Sequence, residues 1–486
     1  MNTPAWNGPA ACRRTKRSGG WQTVWLVPLL FAVLMLSSCS LNRRDIKPPV
    51  EVPEAFGASG TAVVGEKWWT SFGDATLDSL IEEALEGNFS LRVAWDRLDQ
   101  ARAAAAASGA SLWPSLDATA GAGRSATHGD RGGTRYSTDL SLGLAASYEV
   151  DLWGRVRSTR DAAVLDAAAT QQDLQAAAIT LAADVGRTWF RLVEQRAQLK
   201  LLTEQIETNQ KYLDAITLQF RRGQVGATDV LQQRQLVEAT KGDRVLVEAS
   251  IEVLSHQLAV LVGRTPGSLE IPPPESLPEV PPLPATGLPA EWLRRRPDIQ
   301  AARMRVAAAD RRVAAAIADQ WPRLGLTLGA TTTDEQVRDL FDNWMASLAA
   351  NLTGPLLDGG RRRAQVQRTK AAASEALNAY GQVVLTSLAE VADALSQEAR
   401  QVQYVQSLHE QSVLSAKAKD RTLANYAKGT ADFTRYLTAL LSYQRLDRSS
   451  LQARRDLLLL RVDLYRALAG GWESPHPKKA EISQMN

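Results

Sequence analysis

Two hydrophobic periods divide this chain. Apolar residues recur at sevens through Val185, Leu192, Leu199, Ile206, Leu213 and Phe220, a spacing that predicts one long helix with a seam for partner helices. The run Arg155 to Arg222 holds no proline and a single glycine, Gly186. At about 1.5 Å per residue it would span on the order of 100 Å, so helices of similar length must lie alongside it. A second proline-free run opens at Asp358-Gly359-Gly360-Arg361 and closes at Lys428-Gly429. Elsewhere the period falls to two. From Leu140 to Leu152 every even position is apolar and every odd one small or polar. Thirteen alternating residues exceed the 9–11 or so that a tilted strand needs to cross a bilayer. Leu116 to Ala120 alternates more weakly, and Gly129 to Gly133 reads as a loop between the two strands. The pattern returns in Leu324, Leu326 and Leu328, and in Trp344, Ala346, Leu348, Ala350 and Leu352. Such hairpins could also cover a soluble core.

The landmarks repeat. Gly154 to Gly223 and Gly360 to Gly429 are both 69 residues apart, and Trp113-Pro114 stands 208 residues before Trp321-Pro322. Leu91 and Ile299 keep that interval, and Gly263 and Gly470 are 207 apart. The chain is a tandem duplication. In the first half Leu77, Leu80, Ile81 and Leu85 mark a short amphipathic helix, and Asn88 is an N-cap for a second one running to Leu112. Each half has a further helix after its long one, Asp229 to Val262 and Tyr436 to Leu468. The shorter helices, stacked end to end, would flank the long one along nearly its whole length. Between the halves, Pro266 to Pro289 holds nine prolines in 24 residues, an extended outer connector rather than a third domain.

The N-terminus reads as a targeting segment. Arg13, Arg14, Lys16 and Arg17 precede an apolar stretch from Val24 to Leu36, too short and one-sided for a permanent span. Leu36-Ser37-Ser38-Cys39 then looks like a bacterial lipobox, with the Cys39 thiol as lipid acceptor; a plain signal peptide with a chance cysteine is the alternative. Ser40, rather than aspartate, resembles lipoproteins sent to the outer membrane. Beside these features the alternating strands read as membrane strands. The other cysteine, Cys12, leaves with the signal, so the mature body has no thiol for disulfides or metal. Residues 1–38 carry four basic and no acidic residues, so the net charge falls from +3 to −1 on their removal; nothing points to nucleic acid. The histidines, His128, His256, His409 and His476, share no ligand spacing. His409 continues a seam of Leu388, Leu395 and Val402, which predicts a packed or lumen-facing imidazole. Gly121-Ala122-Gly123 lies in a strand and opens no helix, so it is no phosphate loop. No enzyme, cofactor or metal site is expected beyond a covalent lipid on Cys39.

Several segments together carry a resemblance: Trp68-Trp69 with Asn88 and Leu91, Tyr148 to Arg155, Leu258 to Arg264, Arg295-Arg296-Pro297-Asp298-Ile299, Gly359-Gly360-Arg361, and Leu464 to Trp472. In this order they are similar to the TolC-like outer-membrane efflux proteins, in the lipidated branch related to OprM and NodT. The resemblance implies a mainly helical protein with a membrane β-barrel: a homotrimer whose two hairpins per chain form a twelve-stranded barrel, continued by a periplasmic barrel of helices. Elementary physics points the same way, since four strands cannot close a barrel and open edges are not tolerated in lipid. Residues 1–38 are then a lipoprotein signal, 39–66 a lipidated tether, 67–263 and 290–472 the two efflux repeats, 264–289 the linker, and 473–486 a disordered tail.

The implied function is the outer-membrane channel of a tripartite RND-type pump, working with a periplasmic adaptor and an inner-membrane pump to export drugs or small molecules. The exit duct of a type I secretion system and a lipid-anchored coiled-coil scaffold are the alternatives. Two glycine-marked reversals, at Arg222, Gly223 and Gly226 and at Lys428, Gly429 and Thr430, form the expected periplasmic tip and adaptor docking site, with Asp229 or Asp432 capping the returning helix. Relatives carry an aspartate nine residues after the tip glycine; Thr438 stands there, with Arg435 one turn earlier. That argues against an acidic cation-binding ring and places the expected constriction at Arg435, Tyr436 and Thr438.

Overall fold

The computed structural model describes residues 46–62, 65, 67–130, 132–272 and 276–468; the lipobox, Cys39 and the tail lie outside them. A 3-10 turn at Trp68–Phe72 leads into α1 (Ala75–Gly87) and α2 (Phe89–Ala110), then β1 (Ser115–His128) and β2 (Thr134–Val150). The long α3 (Arg155–Arg221) and the returning α4 (Ala227–Leu261) close the first repeat. The second runs through α5 (Pro297–Ala318), β3 (Arg323–Asp334), β4 (Trp344–Thr353), α6 (Arg361–Ala427) and α7 (Phe433–Leu468). Both long helices are 67 residues, about 100 Å.

Helices α2, α3, α5 and α6 form a wall in that order, each packed on the next. Helices α4 and α7 cover the far halves of α3 and α6. The stacking expected of the shorter helices is fixed by one side chain. Asn88 Oδ1 accepts from the Leu91 amide at 3.0 Å, capping the start of α2, while Nδ2 donates to the Leu261 carbonyl at 2.9 Å, capping the end of α4. The fit is close: a Cβ on Gly263, whose φ is +83°, would stand 2.3 Å from the Gly87 carbonyl oxygen. One period of 208 residues later stands Arg296, which ties the corresponding helix ends together by other chemistry. Its guanidinium donates to the Ala467 carbonyl near the end of α7 and pairs with Asp298 in the first turn of α5, and also with Glu390 of α6.

The main core lies where these ends meet. Trp68 stacks on Tyr465 (5.6 Å between centroids), Phe72 packs on Phe190, and Trp189 Nε1 donates to Asp74, the N-cap of α1, at 2.7 Å. The proline-rich linker is bound to this region. Leu277 is buried, and Arg461, itself paired with buried Glu398, donates to the carbonyls of Pro281 and Pro282. Removing one partner of such a buried pair costs on the order of 3–5 kcal/mol. The tether also docks there: the Gly60 amide donates to Pro284 O at 2.9 Å, and that of Ala285 to Ala62 O at 2.7 Å.

One side-chain expectation is corrected and another narrowed. Val185 and Leu192 of the heptad seam are buried, but Leu199, Ile206 and Leu213 are only half-buried and Phe220 is exposed. Below Leu192 the buried face of α3 passes to Gln198, Leu202, Gln205, Asn209 and Ile216, because the helix there faces α4 and α7. Three of those five are amides, which an apolar count passes over. His409 is exposed, which excludes the packed imidazole and leaves the lumen-facing one; its neighbour Leu408 is the packed residue, one position being about 100° around a helix.

Candidate transport duct

The sheet order is β1-β2-β3-β4, all antiparallel, so the two repeats join through β2 and β3. Register puts like with like. Ala118 lies opposite Leu144, which lies opposite Ala330, which lies opposite Ala346. Leu116, Ala146, Leu328 and Leu348 form the next row. One face is therefore apolar across all four strands; the other carries Thr119, Gly143, Thr331, Ser347 and their neighbours. Trp344 and Leu352 lie on the apolar face eight residues apart, about 26 Å along the strand at 3.3 Å per residue, close to the apolar band of about 25 Å in membrane barrels. Aromatic side chains mark both ends. Trp344 and Phe341 are at the loop end, and Trp153 stacks on Trp321 at the helix end (5.2 Å, 27°), with its Nε1–H donating to Pro322 O at 2.7 Å.

A hairpin covering a soluble core would alternate buried and exposed residues. Every residue of β1 and β4 is instead exposed, Leu348 at 79%. Both faces of these strands are bare, and β1 and β4 are also the sheet's unpaired edges. Among the described residues no helix is long and apolar enough to cross a membrane.

The polar face continues into the helical wall. Glu149, on that face, takes a bidentate pair of hydrogen bonds from Arg155 at 3.0 and 2.7 Å. Asp319, at the end of α5, joins Arg323 of β3 to Arg362 of α6. Burial works against its charged form, but the hydrogen bonds and charges of Arg323 and Arg362 outweigh that and hold the carboxyl below its ordinary range.

The far end of the long helices is the tip. Both reversals are Schellman turns. Gly223 (φ +73°) and Gly429 (φ +72°) take the left-handed conformation, with Gln224 N–H donating to Gln219 O and Thr430 N–H to Asn425 O, each at 3.0 Å. The capping aspartates act differently. Asp432 accepts from the Arg435 amide at 2.8 Å as an N-cap, whereas Asp229, inside the first turn, reaches back to the Gly226 amide at 3.3 Å. The hairpins are joined by a small core of Ile216, Leu236, Phe433, Tyr436, Leu437 and Leu440, and by Tyr426 Oη donating to Gln219 at 2.7 Å. Arg222, Gly223, Gly226, Lys428, Gly429 and Thr430 are all exposed at this one end.

Of the expected constriction residues, Arg435 and Thr438 lie on one exposed face of α7 and line a groove against α6 with Thr422 and Ser442. Tyr436 is corrected. It is 1% exposed, with its ring edge-on to Tyr212 at 5.2 Å and packed on Phe433. Burial, then the neighbouring Tyr212, pushes its phenol pKa up. Tyr436 holds the hairpins together and presents no surface to a passage.

Sequence reasoning missed a buried amide layer above this core. Gln444 Nε2 donates to Asn209 Oδ1 at 3.0 Å, and Gln233 Nε2 to the Asn209 carbonyl at 2.8 Å. Asn209 and Gln233 are fully buried. The available signal was amides at seven-residue spacing, Gln198, Gln205 and Gln233 with Thr240, where apolar residues are ordinarily counted.

A sheet greasy on one face, polar on the other, open at both edges and continuous with a wall of long helices defines a membrane duct. The chain belongs to the outer membrane efflux protein family, whose profile matches residues 80–264 and again 288–470. It is an outer-membrane efflux channel with a helical extension into the periplasm, and not an enzyme. It is 31% identical over 466 residues to the pyoverdine export outer membrane protein OpmQ of Pseudomonas aeruginosa, covering 92% of this chain and 97% of that one. It is 30% identical to the outer membrane protein OprJ of the same species, covering 92% and 96%. The solved outer-membrane channel OprN superposes with a TM-score of 0.82 at 29% identity, over 88% of this chain and 98% of that one.

Proposed function

We propose that three copies of this chain form the exit duct of a tripartite RND-type pump, passing drugs or other small molecules through the periplasm and outer membrane to the outside. The carrying observation is the four-stranded sheet whose edge strands are bare on both faces and unpaired. Three copies supply twelve strands, and β4 of each meets β1 of the next. A periplasmic adaptor docks on the tip residues 222, 223, 226 and 428–430, and the inner-membrane pump selects cargo. Arg435 and Thr438 line the passage at its narrow end. Cys39 carries the lipid that fastens each chain to the membrane. A coiled-coil scaffold needs no such sheet. Purified protein in mild detergent is expected to have the mass of a trimer, to conduct ions in planar bilayers, and to carry acyl label that Cys39→Ser removes. A monodisperse, non-conducting monomer overturns the duct; label persisting in Cys39→Ser overturns the anchor alone.

A further inference from the structure

At the junction of sheet and helices the wall carries an open pocket of about 420 Å³, lined from all four wall helices, with Ser108 from α2, Arg155 from α3, Arg312 from α5 and Arg368 from α6. Its side of the wall is fixed by Arg155, which both lines it and pairs with Glu149 on the polar face of the sheet. The pocket therefore opens on the passage side of the wall and not on its outer side.

Its charges do not balance. The carboxylates lining it are Asp166 and Asp319, and both are committed, the first to Arg312, the second to Arg323 and Arg362. Glu149 is held by Arg155. The lining itself thus holds three guanidinium groups, of Arg155, Arg312 and Arg368, against two carboxylates. Among the described residues Arg368 has an amide partner only, donating from Nε to Gln365 Oε1 at 3.2 Å. That bond leaves its two terminal nitrogens to meet an oxyanion, the fork geometry that suits a carboxylate or phosphate. Arginine rings select anions in pores by the same electrostatics.

We infer that this pocket is a transient binding site for multiply charged oxyanions, the carboxylate or phosphate groups of exported solutes, with Arg368 as the principal ligand. That the solute is cargo rests on the duct reading; that the oxyanion binds here does not. The pairs are partly exposed, the side chain of Arg312 at 51%, so binding is weak and sensitive to salt. A passage site has to release what it binds.

The test is calorimetric titration of citrate, and separately of inorganic pyrophosphate, into the purified full-length protein in dodecyl maltoside at low ionic strength. Binding is expected for at least one probe and is lost at high salt. Arg368→Glu weakens it about tenfold or more, Arg368→Gln by less, and Arg368→Lys by no more than about threefold, since a lone charge keeps the attraction but loses the fork. Arg338→Glu, the same charge change in the exposed β3–β4 loop, leaves it unchanged. No binding by wild type, equal binding by Arg368→Glu and Arg368→Gln, or equal weakening by Arg338→Glu overturns the site. Conductance on the same preparations reads the duct separately: binding without conductance removes the duct and keeps the site, and conductance without binding does the reverse.

Discussion

At the residue scale, corresponding positions of the duplication solve one problem with different chemistry. Asn88 caps two helix ends with one amide; Arg296 donates to the end of one helix, pairs with Asp298 in the first turn of the next, and adds an ion pair to a third. That asymmetry reflects the setting, since α5 packs on both α3 and α6 while α2 packs on α3. Within one chain α2 buries only Leu91 and Leu98, against nine residues in α5. Asp319 works at this scale too, cross-linking β3, α5 and α6. Its carboxyl pKa is lowered in the folded state, so its stabilisation is fully present above the ordinary carboxylate range, near pH 4, and is lost as pH falls through the depressed value. Asp319→Asn is therefore expected to lower the midpoint of thermal unfolding at pH 7 by a few degrees, with the gap to wild type closing toward pH 2. A gap that stays constant with pH would assign the loss to packing instead.

At the element scale, regular periods were legible and their partners were not. The long helices began and ended within one residue of the glycine-bounded runs, because Gly154, Gly223, Gly360 and Gly429 all sit at positive φ where the chain turns. The strands followed from strict alternation, although β1 extends to His128, well past the weak pattern at 116–120. Glycines at 121 and 123 hid it, since glycine carries no side-chain signal. Side-chain environment was less legible. The lower half of α3 buries amides, and the burial of Tyr436 depends on Tyr212 in a different repeat; one-dimensional periodicity contains neither fact. The strand faces give a direct test. Leu348 is on the apolar face and 79% exposed in a single chain. Leu348→Lys is expected to cost about 2–4 kcal/mol if it lies near the midplane of lipid, and Ser347→Lys, one residue away on the polar face, much less. The measurement is the yield of detergent-resistant trimer from outer membranes; equal losses at both positions would refute the assignment of faces.

At the scale of the whole molecule, the tip has two separable jobs. The core of Phe433, Tyr436, Leu437 and Leu440 with Ile216 and Leu236 binds the hairpin of one repeat to that of the other. The exposed row Arg435 and Thr438 faces the groove between α6 and α7. Opening a passage here means moving the hairpins relative to one another, which strains the core, while the width and charge of the passage are set by the row. Substitutions at adjacent residues should therefore act through different quantities. Arg435→Ala leaves the core untouched and is expected to raise the conductance of each open event, with little change in how often the duct opens. Tyr436→Ala leaves a cavity between the hairpins, costing about 3–5 kcal/mol by analogy with other large aromatic truncations. It is expected to raise the frequency of opening at nearly unchanged unit conductance, and to expose the tip loops to protease. Single-channel recording separates the two. If Tyr436→Ala changes unit conductance as Arg435→Ala does, the ring lines the passage in the assembled duct and its burial within one protomer is not what closes the tip.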